Sequence, residues 1–132
     1  MTDSVLPFLM FQRKKAEEAI EFYVDLIPDS HVENIQRYGD HNPDFAEWVM
    51  VATVSIGGQR VRFSDSPIEH NFDFTPSFSL FVECESEEEI QTIGSALEVE
   101  GKVLMPLDSY GFSEKFTWIE DRFGVSWQLN YS

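Results

Sequence analysis

Few side chains in this sequence have a type and spacing that would support catalysis. The three histidines, His31, His41 and His70, fall in or beside polar turns, and none has a second histidine at ligand-like spacing. The single cysteine, Cys84, ends an apolar run, where a packing role is favoured. No Ser-His-Asp pattern is visible. These residues therefore indicate no nucleophilic centre. Of the histidines, His70 has the best claim to a function, because the link in which it lies is expected to approach the rim of a site formed by the strands.

A different kind of chemistry is indicated by the last predicted strand, residues 125–131. Its residues alternate, so that Ser126, Gln128 and Asn130 fall on one face and apolar side chains fall on the other. A strand of this kind suits a sheet that packs a helix on one side and lines a wet site on the other. The neutral polar face predicts hydrogen bonding to a ligand rather than acid–base catalysis.

The elements that must position this face occur twice along the chain in the order β-α-β-β-β. Ser86 and Glu89 form a capping-box pattern at the start of the second helix, and Gly57-Gly58 predicts a hairpin. We predict helices over 16–27 and 86–101, and strands over 5–11, 31–38, 47–56, 59–64, 77–84, 102–107, 114–120 and 125–131. The predicted fold class is α+β: one domain, 1–132, in which two βαβββ repeats, about 4–65 and 76–132, form an eight-stranded cup.

Composition excludes several classes of partner. The 132 residues include 24 acids and nine bases, for a net charge of −15. Because this charge repels phosphate backbones and anionic lipid, we expect no nucleic-acid and no membrane partner. One cysteine allows no intrachain disulfide, which fits a cytoplasmic location. We also expect no signal peptide and no membrane span, since no apolar run approaches about 20 residues.

Several blocks of sequence resemble a known family. They comprise residues 8–11, 16–19, 37–39, 72–80 and 121–128, and they follow the family order over nearly the whole chain. The chain resembles the PhnB-like proteins of the glyoxalase, bleomycin-resistance and extradiol dioxygenase group, the vicinal oxygen chelate superfamily. The resemblance implies paired βαβββ units and a homodimer.

Members of this family often carry the label demethylubiquinone methyltransferase. Methyl transfer from S-adenosylmethionine usually uses a Gly-rich turn between a strand and a helix. The only paired glycines here, Gly57-Gly58, join two predicted strands instead. The sequence therefore gives no support of its own to the methyltransferase activity, which stays an alternative.

The resemblance also implies where a metal would be held. Metal-using members of the superfamily carry ligands on four strands, and these positions fall on Phe8, on Ser79, on Gln128 and near Phe63 or Asp65. Phenylalanine cannot bind a metal, and serine and neutral glutamine are weak ligands. We therefore expect no metal and no cofactor at this position.

Without a metal, the predicted cup is an aromatic pocket for a small molecule. Its expected lining residues are Phe8, Met10, Trp48, Phe63, Ser79, Phe116, Trp118, Ser126 and Gln128. The negative net charge favours a cationic ligand, which aromatic faces would support by cation–π contact. The aromatic loop 109–113 is either a lid or a long hairpin loop.

Two further readings stay open. The chain could be an enzyme, a lyase, an isomerase or the methyltransferase of the family label, with a non-standard site for which Asp65, His70 and Glu120 are the first candidates. It could instead be a structural homodimer whose cup is filled by its own side chains, because apolar residues on a strand face usually belong to a core.

Overall fold

The computed structural model describes all 132 residues, which form two compact units, Met1–Asn71 and Phe72–Ser132. Each unit has one helix and one four-stranded sheet in the predicted βαβββ order, which confirms the fold class. The elements are β1 (Phe8–Gln12), α1 (Ala16–Leu26), β2 (His31–Arg37), β3 (Val49–Ile56), β4 (Gln59–Ser66), β5 (Ser79–Glu83), α2 (Glu87–Glu98), β6 (Lys102–Asp108), β7 (Lys115–Glu120) and β8 (Ser126–Tyr131).

In the first unit the strand order is β1-β4-β3-β2, with β1 and β4 parallel and the other neighbours antiparallel. One face of this sheet is buried against α1. The Phe11 and Phe63 rings stack with centroids 5.7 Å apart, and Tyr23 of α1 lies 6.0 Å from Phe63. All three side chains are fully or almost fully buried, so they form the core of this unit.

The second unit repeats this arrangement with the order β5-β8-β7-β6 and a parallel β5–β8 pair. Its helix-side face holds Trp127, Leu129 and Ile119, which are all fully buried. Gly94 of α2 lies close to this face, because a Cβ at that position would meet side-chain atoms of Leu129 and Thr117 at 3.7 Å. The alternation predicted for 125–131 therefore places its apolar face on the helix, as expected.

The predicted capping box of α2 is present in a shifted form. Ser86 Oγ accepts a hydrogen bond from Glu89 N at 3.0 Å, while the Glu89 carboxylate accepts one from Glu85 N rather than from Ser86 N. Both bonds satisfy backbone N–H groups at the start of the helix.

Several predicted boundaries differ from the structure. β1 begins at Phe8 rather than at residue 5, because Pro7 accepts a hydrogen bond from Arg62 N but has no N–H to donate. β5 begins at Ser79 rather than at residue 77, because the preceding residues form a turn in which Phe78 N donates to Thr75 O. The connection between the strands predicted over 31–38 and 47–56 contains two short 3-10 helices, Gly39–His41 and Pro43–Phe45. Neither α-helix is long and apolar enough to cross a membrane.

Candidate functional site

The second unit brings four predicted site residues onto one face of its sheet, the face opposite α2. In the register of the strands, Ser79 pairs with Ser126, and Gln128 pairs with Trp118. Directly paired residues point to the same side of a sheet. We call Ser79, Trp118, Ser126 and Gln128 the polar face of the second unit.

The four side chains of the polar face are joined in one hydrogen-bond network. Trp118 Nε1 donates to Ser126 Oγ at 2.8 Å, and Gln128 Nε2 donates to Ser79 Oγ at 3.2 Å. The two serine hydroxyls lie 2.7 Å apart, which makes a hydrogen bond in which either oxygen can donate. No member of this network carries a charge or titrates near neutral pH.

The network leaves some of its hydrogen-bond donors and acceptors without a partner in the chain. If Ser79 donated to Ser126, the hydroxyl proton of Ser126 would be left without a partner in a residue that is only 1% exposed. A buried hydroxyl proton without a partner costs free energy. No such proton remains if Ser126 donates to Ser79, because the half-buried Ser79 hydroxyl then directs its own proton outwards. Gln128 Oε1 accepts no hydrogen bond from the chain. The polar face therefore offers the Ser79 O–H as a donor beside Gln128 Oε1 as an acceptor, and the second N–H of the Gln128 amide is a further donor.

Phe116 lies on the same face but is covered by the loop between β6 and β7. Its ring makes edge contacts with Phe112 at 5.1 Å and with Tyr110 at 6.1 Å, and it is only 5% exposed. Tyr110 Oη donates to Pro106 O at 2.6 Å, which ties this loop to β6. The aromatic loop is thus folded against its own sheet, with Phe112 at 63% exposure on its outer side.

The corresponding face of the first unit carries Phe8 and Met10. Phe8 pairs with Arg62 and Met10 pairs with Ser64, so these four side chains share the face opposite α1. Phe8 is 57% exposed and Met10 is half-buried, in contrast to the buried Leu9 on the other side. We call Phe8, Met10, Arg62 and Ser64 the Arg62 face.

Phe63 and Asp65 lie on the opposite side of the sheet from these residues. Phe63 is fully buried in the core with α1, so the expectation that it lines an open site with Phe8 is wrong. Asp65 is also fully buried, and its Oδ1 and Oδ2 accept hydrogen bonds from Ala16 N at 2.9 Å and Val49 N at 3.0 Å. Its carboxylate therefore anchors the start of α1 and of β3, and it points away from the Arg62 face.

The internal repeat identifies the residue at the fourth implied ligand position, which the resemblance had put near Phe63 or Asp65. Phe8 and Ser79 each stand eight residues before the first residue of a helix. Gln128 pairs with the second residue after Ser79, and Ser64 pairs with the second residue after Phe8. Ser64 is therefore the counterpart of Gln128, although the sequence had suggested Phe63 or Asp65.

The positions that the resemblance implies for metal ligands are thus Phe8 and Ser64 in the first unit and Ser79 and Gln128 in the second. A benzyl group cannot bind a divalent metal, and a hydroxyl or a neutral amide binds one poorly, so neither pair is a good set of ligands. Nowhere in the chain do three or more His, Cys, Asp or Glu side chains cluster closely enough to hold a metal ion. The residues present do not fit the superfamily metal.

Two other candidate residues, Trp48 and His70, lie in the first unit. Trp48 precedes β3 and packs edge-on against Phe45 with centroids 4.6 Å apart. His70 Nε2 lies 3.0 Å from Ser66 Oγ, but that hydroxyl is also 2.8 Å from Ile68 O, which can only accept. The serine proton is directed to the carbonyl, so histidine donates to serine and the pair is not a nucleophile with its base.

Glu120 pairs with Ser126 at the end of β7, so it lies on the same face of the sheet as the polar network, beside it, and is half-buried. Neither strand-to-helix connection, 13–15 or 84–86, contains a glycine. The Gly-rich phosphate-binding turn of nucleotide-binding folds is therefore missing at both places where a strand leads into a helix. Gly57-Gly58 joins β3 to β4, as the sequence predicted.

Comparison with solved structures gives close and distant relatives. The PhnB protein from Bacillus cereus is 46% identical, with 98% of this chain and 100% of that chain covered and a TM-score of 0.92. A protein from Pseudomonas aeruginosa is 26% identical, with coverage of 99% and 98% and a TM-score of 0.83. The fosfomycin resistance protein FosX from Listeria monocytogenes, solved with Mn(II), shares the fold at 10% identity, 98% and 93% coverage and a TM-score of 0.65.

No curated protein matches the chain. The sequence model of the 3-demethylubiquinone-9 3-methyltransferase family matches residues 3–130, which is almost the whole chain. Together with the Bacillus cereus relative, this match shows that the chain belongs to the 3-demethylubiquinone-9 3-methyltransferase family, within the PhnB-like branch of the glyoxalase fold.

Proposed function

We propose that the protein binds a small, flat organic molecule at the polar face of the second unit without the help of a metal. The observation that supports this proposal is the hydrogen-bond network of Ser79, Ser126, Trp118 and Gln128, in which Ser79 and Gln128 stand at two of the strand positions that the family resemblance implies for metal ligands. A neutral hydrogen-bonding surface beside aromatic rings is typical of small-molecule sites.

The open groups of the network define the chemistry of the ligand. A hydroxyl donor beside an amide acceptor is complementary to a group that carries an acceptor beside a donor, as carboxamides and lactams do. The exposed Phe81, paired with Gln128 on the same face, adds an aromatic surface for a flat ring. We therefore expect an aromatic amide or lactam to bind better than the hydrocarbon of the same shape.

A titration with 2-naphthamide followed by 1H–15N NMR tests this proposal. The indole N–H signal of Trp118, assigned by its loss in Trp118→Phe, is expected to shift on saturation, while that of the buried Trp127 stays in place. Gln128→Leu should weaken binding about two- to tenfold, because a net hydrogen bond contributes about 0.5–1.5 kcal/mol.

Gln91→Leu, on the exposed surface of α2, is the matched control and should bind like the unmodified protein. A Trp118 signal that does not move at a saturating probe concentration would contradict the proposal, as would equal affinity in Gln128→Leu.

The family resemblance adds an assembly to this proposal. We expect a homodimer, with a solution mass of twice the 15.3 kDa of one chain. Size-exclusion chromatography with light scattering measures this mass directly, and a value equal to one chain over the micromolar range would count against it.

A further inference from the structure

The positive charges of this chain are few, and most are neutralised inside it. Five of the nine basic side chains make ion pairs with glutamates: Arg13, Lys15, Arg37, Arg60 and Lys115. A sixth, Arg122, lies 5.0 Å above the ring of Phe123. With 24 acids available, an arginine without an acidic neighbour is an exception in this protein.

Arg62 is such an exception. Its side chain is exposed and makes neither an ion pair nor a hydrogen bond within the chain. Its neighbours in register on the same face are Phe8 on β1 and Thr53 on β3, neither of which is charged. The guanidinium therefore stands on an apolar and hydroxyl-bearing surface with its five donors available.

Arg60, two residues earlier on the same strand, shows the contrast. Glu33 holds Arg60 through contacts of 2.9 to 3.2 Å to Nε and Nη2, and this carboxylate raises the pKa of the Arg60 guanidinium. One of two neighbouring arginines on one face is thus paired with a carboxylate of the chain, and the other is not. The difference indicates that Arg62 is kept for an acid that the chain does not supply.

We propose that the Arg62 face binds the anionic group of a small organic acid, a carboxylate or a phosphate, whose apolar body packs on Phe8 and Met10. Arg62 would hold the anion through two parallel N–H···O bonds, with the Ser64 hydroxyl beside it on the same strand. This inference rests on the proposed function, because it assumes that the sheet faces opposite the helices bind small molecules. It concerns a second such face, in the first unit, whose ligand is an anion.

The net charge of −15 does not prevent this binding. At about 0.15 M salt the Debye length is about 8 Å, so distant exposed acids are largely screened. A guanidinium in direct contact with the ligand is screened much less. For this face, the proposal therefore replaces the cationic ligand expected from net charge with an anionic one.

The test compares 2-naphthoate, 2-naphthyl phosphate and the neutral 2-naphthamide by isothermal titration calorimetry, with Arg62→Gln as the variant. The unmodified protein should bind one or both anions at least about tenfold more tightly than the amide, since hydrogen bonds to charged groups are the strong ones. Tighter binding of 2-naphthoate would identify a carboxylate site, and tighter binding of 2-naphthyl phosphate would identify a phosphate site.

In Arg62→Gln the preference for the anions should disappear, while the affinity for 2-naphthamide is unchanged. Lys102→Gln removes the same charge from the exposed β6 in the other unit, and it should keep the preference. Amide binding with no preference for anions, or a preference that survives in Arg62→Gln, would overturn the role of Arg62 alone. No binding of any of the three probes would overturn this inference and the proposed function together.

Discussion

At the scale of single residues, the polar face of the second unit consists of side chains that do not ionise near neutral pH. Ser79 and Gln128 occupy positions that the family resemblance implies for metal ligands, and Gln128 Nε2 lies 3.2 Å from Ser79 Oγ. This distance means that two substitutions would bring two metal-binding groups together.

The first prediction concerns this pair. The double variant Ser79→His with Gln128→Glu should bind Mn(II) or Zn(II) at least about tenfold more tightly than the unmodified protein, because imidazole and carboxylate are good ligands for these ions. Calorimetric titration of both proteins measures the gain. A double variant that folds and binds metal no better than the original would show that the two positions are not the ligand positions of the superfamily.

Asp65 is a second residue whose role the structure changes from catalysis to stability. Asp65→Asn should lower the free energy of unfolding by about 2–4 kcal/mol, because the amide places an NH2 group against one of two backbone N–H groups that the carboxylate accepts. Urea denaturation measures this loss. Asp25→Asn, exposed near the end of α1, should change stability by less than about 0.5 kcal/mol. A loss below about 1 kcal/mol for Asp65→Asn would contradict the anchoring role.

At the scale of elements, local sequence signals predicted where helices begin. Side chains that satisfy a helix start from a distant part of the chain could not be predicted. The start of α2 is marked by Ser86 and Glu89, which act within one turn and are visible in the sequence. The start of α1 has no such side chain at Lys15, and its first N–H is satisfied by Asp65, 49 positions away. A pairing of this kind depends on the register of β4 and leaves no local pattern.

Strand faces were predictable from alternation alone. The alternation of residues 125–131 was enough to place Ser126 and Gln128 on the face away from the helix. On β4 the apolar Val61 and Phe63 alternate with the polar Arg62 and Ser64, which favours Phe63 for the core, but the ligand position implied by the family resemblance had placed Phe63 in the lining. The pairing with β1 and the burial of Phe63 place Phe63 in the core and Ser64 on the open face.

Two glycines near α2 give a matched pair of predictions for this element. Gly101→Ala should lower the free energy of unfolding by about 2 kcal/mol or more, since its Cβ would lie 2.5 Å from Glu120 O and 2.8 Å from Leu97 O. Gly94→Ala, inside the helix, meets only ordinary contacts of 3.7 Å or more and should be neutral or stabilise by up to about 1 kcal/mol. Thermal unfolding of both variants measures which is the more stable. A Gly101→Ala variant that is more stable than Gly94→Ala would contradict the prediction.

At the scale of the whole molecule, the excess of acids acts through its summed charge. The net charge of −15 produces self-repulsion in the folded protein, which salt screens. Raising NaCl from 20 to 200 mM should therefore raise the melting temperature by about 2–5 °C. Differential scanning calorimetry measures this shift, and a melting temperature that falls with salt would show that the surface ion pairs outweigh the repulsion.

The repeat of the βαβββ unit allows the proposed binding faces of the two units to be compared position by position. The same strand positions carry neutral polar groups in the second unit and an unpaired arginine with an apolar surface in the first. One fold thus presents two chemically different faces, and the difference arises from side chains alone.

The most direct test of the central claim, that the polar face is a neutral binding surface and not a metal site, is an NMR titration of the unmodified protein with Mn(II). Bound Mn(II) broadens the signals of nearby protons. We predict that one equivalent leaves the Trp118 indole signal as sharp as that of Trp48, which lies outside the polar face. Selective loss of the Trp118 signal at one equivalent would contradict the account.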